Sequence, residues 1–330
     1  MSDQIKKIMV TGATGQIGSE LIPELRKKYG NDSVIAIGHK TKPTQEFLDS
    51  GPFEFADVTE RLALEQIIKK YNIKIIYHLA SILSAVGEKN PDLIWNVNIN
   101  GLKNILDLAK ENNIEKVFWP SSIAVFGPET PKNNTPNETI TRPSTMYGIT
   151  KVAGELLCEY YFKKYNLDIR SIRYPGIISS ETLPGGGTTD YAVAIFYEAV
   201  KNKSYTCFVN SDTILPMMYM PDCIKAAIGL IEADLSKLKH RCFNLTAMSF
   251  SVKDLVEEIK KYIPDFQCVY QPDYRQEIAD SWPKIIDDSV ARREWGWNPR
   301  YDLFEMTKDM LSKVKEKTTI NLKIEKTCQR

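Results

Sequence analysis

The chain has 330 residues, 43% of them hydrophobic, with 43 Lys+Arg against 42 Asp+Glu and a formal net charge of +1. That balance excludes a strongly basic nucleic-acid binder, and no apolar run reaches the roughly 18 residues of a membrane helix. Six scattered cysteines without a CxxC pair, and three histidines not spaced for a shared metal, predict reduced thiols, no metal, and an intracellular soluble protein of the cytoplasm or the mitochondrial matrix.

In chain order, short apolar runs alternate with helix-period segments. Strands are predicted at Ile8–Val10, Ser33–Ile37, Phe53–Phe55, Ile73–Tyr77, Lys116–Trp119 and Asp168–Arg173, with helices near 16–29, 60–71, 91–112 and 147–165. Several strands are apolar on both faces, as when helices cover both sides of a parallel sheet. The pattern predicts an α/β fold, a Rossmann-like doubly wound parallel sheet with a smaller C-terminal α/β domain. Beyond residue 175 come a flexible glycine turn at Gly185–Gly187, a helix near 190–201 and a strand at Met217–Met220. A helix from Pro221 to about Ala233 and a strand at Arg241–Leu245 follow. Ser251, with Asp254 three residues on, opens a further helix. The last helix spans about 302–316, and the polar tail 317–330 reads as loose.

The first strand runs into Gly12-x-x-Gly15-x-x-Gly18, with a helix starting near Gln16 and Ile17. Glycines there give a tight turn and let backbone approach a pyrophosphate, while helix N-terminal amides face the phosphates. Further contacts are expected at the carboxyl ends of later strands: Asp57 and Val58, then Leu79, Ala80 and Ser81, then Ser121 and Ser122. Asp57 can accept a hydrogen bond from an adenine amino group or cap the helix at Thr59. His78 reads as a packing or backbone-bonding residue.

Tyr147 and Lys151, four apart, emerge on one face of a helix. An ammonium about 4 Å from the phenolate contributes roughly 4 kcal/mol at an effective dielectric near 20, about three pKa units, enough to bring the phenol near neutrality. Ser122, at a strand end, supplies a hydroxyl for a substrate oxygen.

With these residues the sequence resembles the extended short-chain dehydrogenase/reductases, over nearly its whole length. The matching segments are the glycine motif, His78–Ala80, Asn98 in Asn96–Gly101, Ser121–Gly127, Tyr147-xxx-Lys151, Arg173–Gly176, Tyr219–Cys223, Phe243–Leu245 and Arg293–Pro299. Leu79–Ser84, Pro120–Pro128 with Thr135–Pro136, Gly185–Ala192 and Asp280–Pro283 are similar to the short-chain-type L-threonine 3-dehydrogenases. The resemblance implies Ser122, Tyr147 and Lys151 as catalytic residues, and Asn98 in a proton relay. It places Tyr174 and Ile177 along the nicotinamide, and Ser84, Thr188 and Trp282 at the substrate. It implies NAD-dependent oxidation of the threonine β-hydroxyl to 2-amino-3-oxobutanoate, in threonine catabolism, by a homodimer joined through helices 91–112 and 147–165. Residues 1–175, with 213–240 returning to them, would form the NAD-binding domain, and 176–212 with 241–316 the substrate domain.

One departure bears on cofactor choice. The end of strand two, where an acid usually holds the adenosine ribose, reads Ala36-Ile-Gly38-His39-Lys40. His39 and Lys40 can tolerate a 2′-phosphate, although the subgroup favours NAD. Two other readings stand beside the dehydrogenase: an NAD-dependent nucleotide-sugar epimerase or dehydratase, and a non-catalytic cofactor-sensing regulator. Few Arg and Lys in 182–215 speak against the first, and the intact trio against the second.

Overall fold

A computed structural model describes residues 6–183 and 185–328, apart from the side chains of residues 85 and 320–328. Seven strands form one parallel sheet: β1 (Lys7–Thr11), β2 (Val34–Gly38), β3 (Phe53–Phe55), β4 (Ile73–His78), β5 (Lys116–Ser122), β6 (Asp168–Tyr174) and β10 (Cys242–Asn244). Their order is β10-β6-β5-β4-β1-β2-β3. The order reverses between β1 and β4, so a crevice opens beyond the carboxyl ends of these two strands. A second sheet pairs β7 (Gly176–Ile178), β9 (Ile214–Tyr219) and β11 (Met248–Ser251); β8 (Ser204–Cys207) pairs with β12 (Gln267–Tyr270) in a third.

The helices of the first half are α1 (Gln16–Tyr29), α2 (Gln45–Asp49), α3 (Arg61–Tyr71), α4 (Ser84–Lys89), α5 (Pro91–Trp95), α6 (Gly101–Glu111) and α7 (Met146–Tyr165). Those of the second are α8 (Tyr191–Asn202), α9 (Met220–Glu232), α10 (Val252–Lys260), α11 (Arg275–Ser281), α12 (Ser289–Trp295) and α13 (Leu303–Cys328). Two apolar layers enclose the large sheet, one holding Leu21, Ile22 and Leu25 of α1, the other Leu102, Ile105 and Leu106 of α6. A third core, around Phe196, Val252 and Met310, lies under α8, α10 and α13. Burial of such side chains, each worth about 1.5–3 kcal/mol, drives the assembly. Among the described residues no helix is long and apolar enough to cross a membrane.

Two cations fasten α9 onto the sheet. Arg170, fully buried and paired with Asp168, donates to the carbonyls of Leu230, Ile231 and Ala233, and Lys116 donates to that of Ile231. These carbonyls end α9, where only that of Leu230 also accepts a backbone amide, from Ala233, so the cations satisfy them and complement the helix dipole.

Three expectations need correction. Residues 242–244, expected in the smaller domain, are the seventh strand of the large sheet, paired in parallel with Ser171–Arg173. Three residues show too little periodicity to reveal this, and the Arg173 bond to Asn244 that helps fix it is long-range. The single helix expected at 91–112 contains a π turn at Asn96–Asn100. The final helix does not stop at 316 but continues to Cys328, because no Gly or Pro interrupts 303–328; residues 329–330 lie outside the described ones. The capping box at Ser251 and Asp254 forms as the spacing predicts.

Candidate active site

The glycine motif makes the floor of the crevice. Gly12 has φ +72°, and a Cβ there would lie 2.8 Å from the Ala80 nitrogen. A Cβ on Gly18 would lie 2.2 Å from the Gly12 carbonyl oxygen, so only glycine lets α1 start this close to β1. Gly15 is the N-cap of α1; no side chain caps that end and no acid occupies its first turn. Its amides and positive dipole end are therefore left for an anion. This cradle fits the pyrophosphate of a dinucleotide.

Further along the same edge, His39 and Lys40 follow β2, and Asp57 and Val58 follow β3. Asp57 is committed to local structure: one oxygen accepts from the amide and hydroxyl of Thr59, and the other faces His39 Nε2 at 3.2 Å. Burial works to raise its carboxyl, but the Thr59 bonds and the charges of His39 and Lys40 hold it below the usual range. These bonds close the turn that precedes α3, whose N-cap is Glu60, so Asp57 does not itself cap that helix. Val58 is buried against Gly101 rather than facing the crevice. A Cβ on Gly38 would sit 2.5 Å from Phe53 Cζ, so an acid enters this position only if that ring moves.

A cleft of about 180 Å³ continues the crevice between the large sheet and the segments after β7. It brings together Ser122, Tyr147 and Lys151 with Ser84, Thr188 and Trp282, joining residues nearly 200 positions apart in sequence. Gln16, Ile17, Leu79, Ser81, Tyr174 and Ile177 also line it. Ala80 instead sits against Gly12, its amide donating to Thr11 Oγ1 at 3.3 Å. His78 bonds the same hydroxyl through Nδ1 at 2.8 Å; burial, with the charge of Lys151, depresses it to about 3, so it is neutral.

Tyr147 and Lys151 share one face of α7. The N-cap of this helix is Thr145, which accepts from the Gly148 amide, and Glu88 of α4 accepts from the Met146 amide at 2.7 Å. Ser122 accepts from the Ala124 amide at 3.1 Å, and its hydroxyl, beside Tyr147 in the cleft, favours the phenolate. Burial is the stronger effect, and the phenol is pushed up to about 12. Lys151, only 3% exposed, donates to the Pro120 carbonyl at 2.7 Å and lies over the Trp119 ring. Burial lowers it to about 7, although Cys158 and Glu155 pull the other way. The expectation of a phenol near neutrality is therefore not met here. The ammonium is 5.4 Å from the Tyr147 ring centre and already engaged, and desolvation of the phenolate outweighs it.

Two further expectations change. Asn98 does not line the cleft. Sitting in the π turn, it accepts from the Ile82 amide and donates to the Ile82 carbonyl and to Thr150 Oγ1, while Thr150 bonds the Tyr147 carbonyl. Its amide is spent on fixing the loop after β4 against α7, which makes it a positioning residue. The glycine run before Thr188 is not free either: Asp190 accepts from the amides of Gly186 and Gly187, each at 2.7 Å. Burial raises the Asp190 carboxyl, against the effect of those amides. Sequence reasoning missed Asp190, whose one local signal is an acid between a glycine run and a helix start.

Residues 8–245 match the model of the NAD dependent epimerase/dehydratase family. The chain is 49% identical over 321 residues to an uncharacterized epimerase/dehydratase of Staphylococcus saprophyticus, covering 97% of this chain and 100% of the relative. It superimposes on an L-threonine dehydrogenase of Clostridium difficile with a TM-score of 0.93 at 54% identity, covering 95% of this chain and 99% of the other. For the L-threonine dehydrogenase of Phytophthora infestans the TM-score is 0.91 at 52% identity, covering 94% and 100%. A monomeric L-threonine 3-dehydrogenase from a metagenome gives 0.90 at 50%, covering 94% and 99%.

Proposed function

The chain belongs to the NAD-dependent epimerase/dehydratase family, and from that premise we propose that it oxidises the β-hydroxyl of L-threonine to 2-amino-3-oxobutanoate, a step of threonine catabolism. One observation carries the choice of substrate. Of the described residues lining the cleft, only Lys151 and Asp190 are charged and none is an arginine, while Ser84, Thr188 and Thr189 present hydroxyls. A nucleotide diphosphate finds no cation pair there. A small zwitterion finds hydroxyls for its carboxylate and Asp190 for its ammonium.

Gly12, Gly15, Gln16, Ile17 and Gly18 would hold the pyrophosphate of NAD, with His39, Lys40 and Asp57 toward the adenosine. Tyr174, Ile177 and Lys151 would hold the nicotinamide riboside. When bound, NAD supplies a hydride acceptor and a positive charge in the cleft. Ser122 donates to the substrate oxygen and Tyr147, as phenolate, takes its proton. Lys151 stabilises the phenolate as the β-carbon loses its hydride and the C–O bond becomes a carbonyl. Trp282 and Thr188 enclose the amino acid.

Exposed Leu93, Trp95, Ile149, Leu156 and Tyr160 lie on α5 and α7. They support a homodimer through these helices and the π turn and α6 between them. Light scattering reads this directly: wild type elutes as a dimer and Leu156→Asp as a monomer, whereas a monomeric wild type refutes the assembly.

The activity is tested with L-threonine, D-threonine, L-serine and UDP-sugars, each with NAD and NADP, by absorbance of the reduced cofactor and, since an epimerase or dehydratase returns its hydride, by chromatography of the UDP-sugar. Reduction with L-threonine and NAD is expected. Turnover of a UDP-sugar without threonine oxidation overturns the reading.

A further inference from the structure

Trp282 reaches the cleft from the far end of the chain, as the extended residue ending α11, yet it is only 7% exposed. Its anchor is Lys132, in the segment that follows Ser122 and Gly127. The Lys132 ammonium donates to the carbonyl of Ser281, the residue before Trp282, at 2.5 Å, and to the Gly127 carbonyl at 3.4 Å. Pro283 has no amide hydrogen to offer. The next two amides, of Lys284 and Ile285, both donate to the Lys132 carbonyl, at 2.8 and 3.1 Å. One residue therefore grips the chain on both sides of Trp282.

The stitching continues. Thr135 donates its amide to the Ile285 carbonyl and accepts from the Asp287 amide, making a parallel bridge to Ile286. Thr135 is fully buried, and the Asn244 side chain donates to its carbonyl from β10, on the large sheet. Trp282 thus rides on the loop after β5, the strand that ends in Ser122, and holds its place relative to Ser122 and Tyr147. The wall facing it, with Ser84 and Thr188, comes from other segments.

We propose that Lys132 is a positioning residue for substrate specificity: by holding Ser281 and residues 284–285 it fixes the Trp282 ring as a rigid wall that limits the length of the substrate's β-substituent. The inference takes L-threonine as substrate, and so rests on the reading above. It names the chemical class the wall excludes, β-hydroxy-α-amino acids with longer side chains.

The test is Lys132→Met, which keeps the aliphatic stem and loses the ammonium, with Lys132→Arg as the conservative variant. Lys132→Gln replaces Lys132→Met if that variant does not fold. Acrylamide quenching of the Trp282 fluorescence, taken as the difference from Trp282→Phe in each background, reads the position of the ring without any turnover. Lys132→Met is expected to raise that quenching. It should also raise KM for L-threonine about tenfold with kcat nearly unchanged, as for loss of one charge-assisted hydrogen bond. Preference for L-threonine over 2-amino-3-hydroxypentanoate should fall, and Lys132→Arg should restore all three. Unchanged quenching overturns the anchoring, whatever the substrate proves to be. Raised quenching with unchanged discrimination overturns the role in specificity. A wild type that does not oxidise threonine refutes the reading of function, while the quenching result still decides the anchoring.

Discussion

Replacing Lys151 by Met removes from a buried site an amine whose charged form burial disfavours, to about 7, and a neighbouring phenolate favours, while keeping much of the side chain's volume. The Lys151 ammonium lies 5.4 Å from the centre of the Tyr147 ring. At an effective dielectric near 20, that separation is worth about 3 kcal/mol to a phenolate, or about two pKa units. Burial, which already pushes the phenol up to about 12, is left less opposed in the variant. The sign follows from the role: a general base works when deprotonated, so activity is present above its pKa and lost as pH falls through it. The rising limb of kcat/KM should move about two pH units to the alkaline side, with a loss of about 100-fold on the slope of the wild-type limb that shrinks as pH rises. The assay is kcat/KM for L-threonine against pH at saturating NAD. The dissociation constant of NAD is measured separately, because Lys151 is also assigned to the nicotinamide ribose. A limb that stays in place, or a fall equal at every pH, would refute the electrostatic argument.

Tyr147→Phe should lower kcat by roughly 10²–10⁴-fold while NAD still binds, the usual worth of a positioned base; stopped-flow turnover near wild type removes it from that role. Thr188→Ala should chiefly raise KM for threonine, by loss of a hydrogen bond of about 1–3 kcal/mol to a charged group, and steady-state kinetics that leave KM unchanged return Thr188 to a loop role. Gly18→Ala would set a Cβ 2.2 Å from the Gly12 carbonyl oxygen. It should lower Tm and weaken NAD binding together, and a thermal melt matching wild type contradicts the packing argument.

The parts of the fold that local pattern dictates were legible. Doubly apolar strands, the glycine turn before Gln16 and the Ser251 capping box each need only a few neighbouring residues, and each forms. The trio follows from motifs and the three substrate residues only from the family resemblance, and the cleft gathers all six. What escaped depends on distance in sequence. The π turn around Asn98 leaves no periodic mark, and it turns the Asn98 amide toward Ile82 and Thr150. The short β10 is recognisable only beside β6. Spacing puts Tyr147 and Lys151 on one face, but it does not reveal the Pro120 carbonyl that engages the lysine or the burial that raises the phenol. The role of Lys132 lies in contacts about 150 positions away.

Hydride transfer from the threonine β-carbon is the central claim, and an isotope label follows it atom by atom. The protein is incubated with NAD and L-threonine deuterated at the β-carbon, and the reduced cofactor is isolated and weighed by mass spectrometry. The account predicts reduced NAD one mass unit heavier than that formed from unlabelled threonine, with slower turnover of the labelled substrate when chemistry limits the rate. Reduced cofactor of ordinary mass, or no reduction by threonine at all, would contradict it.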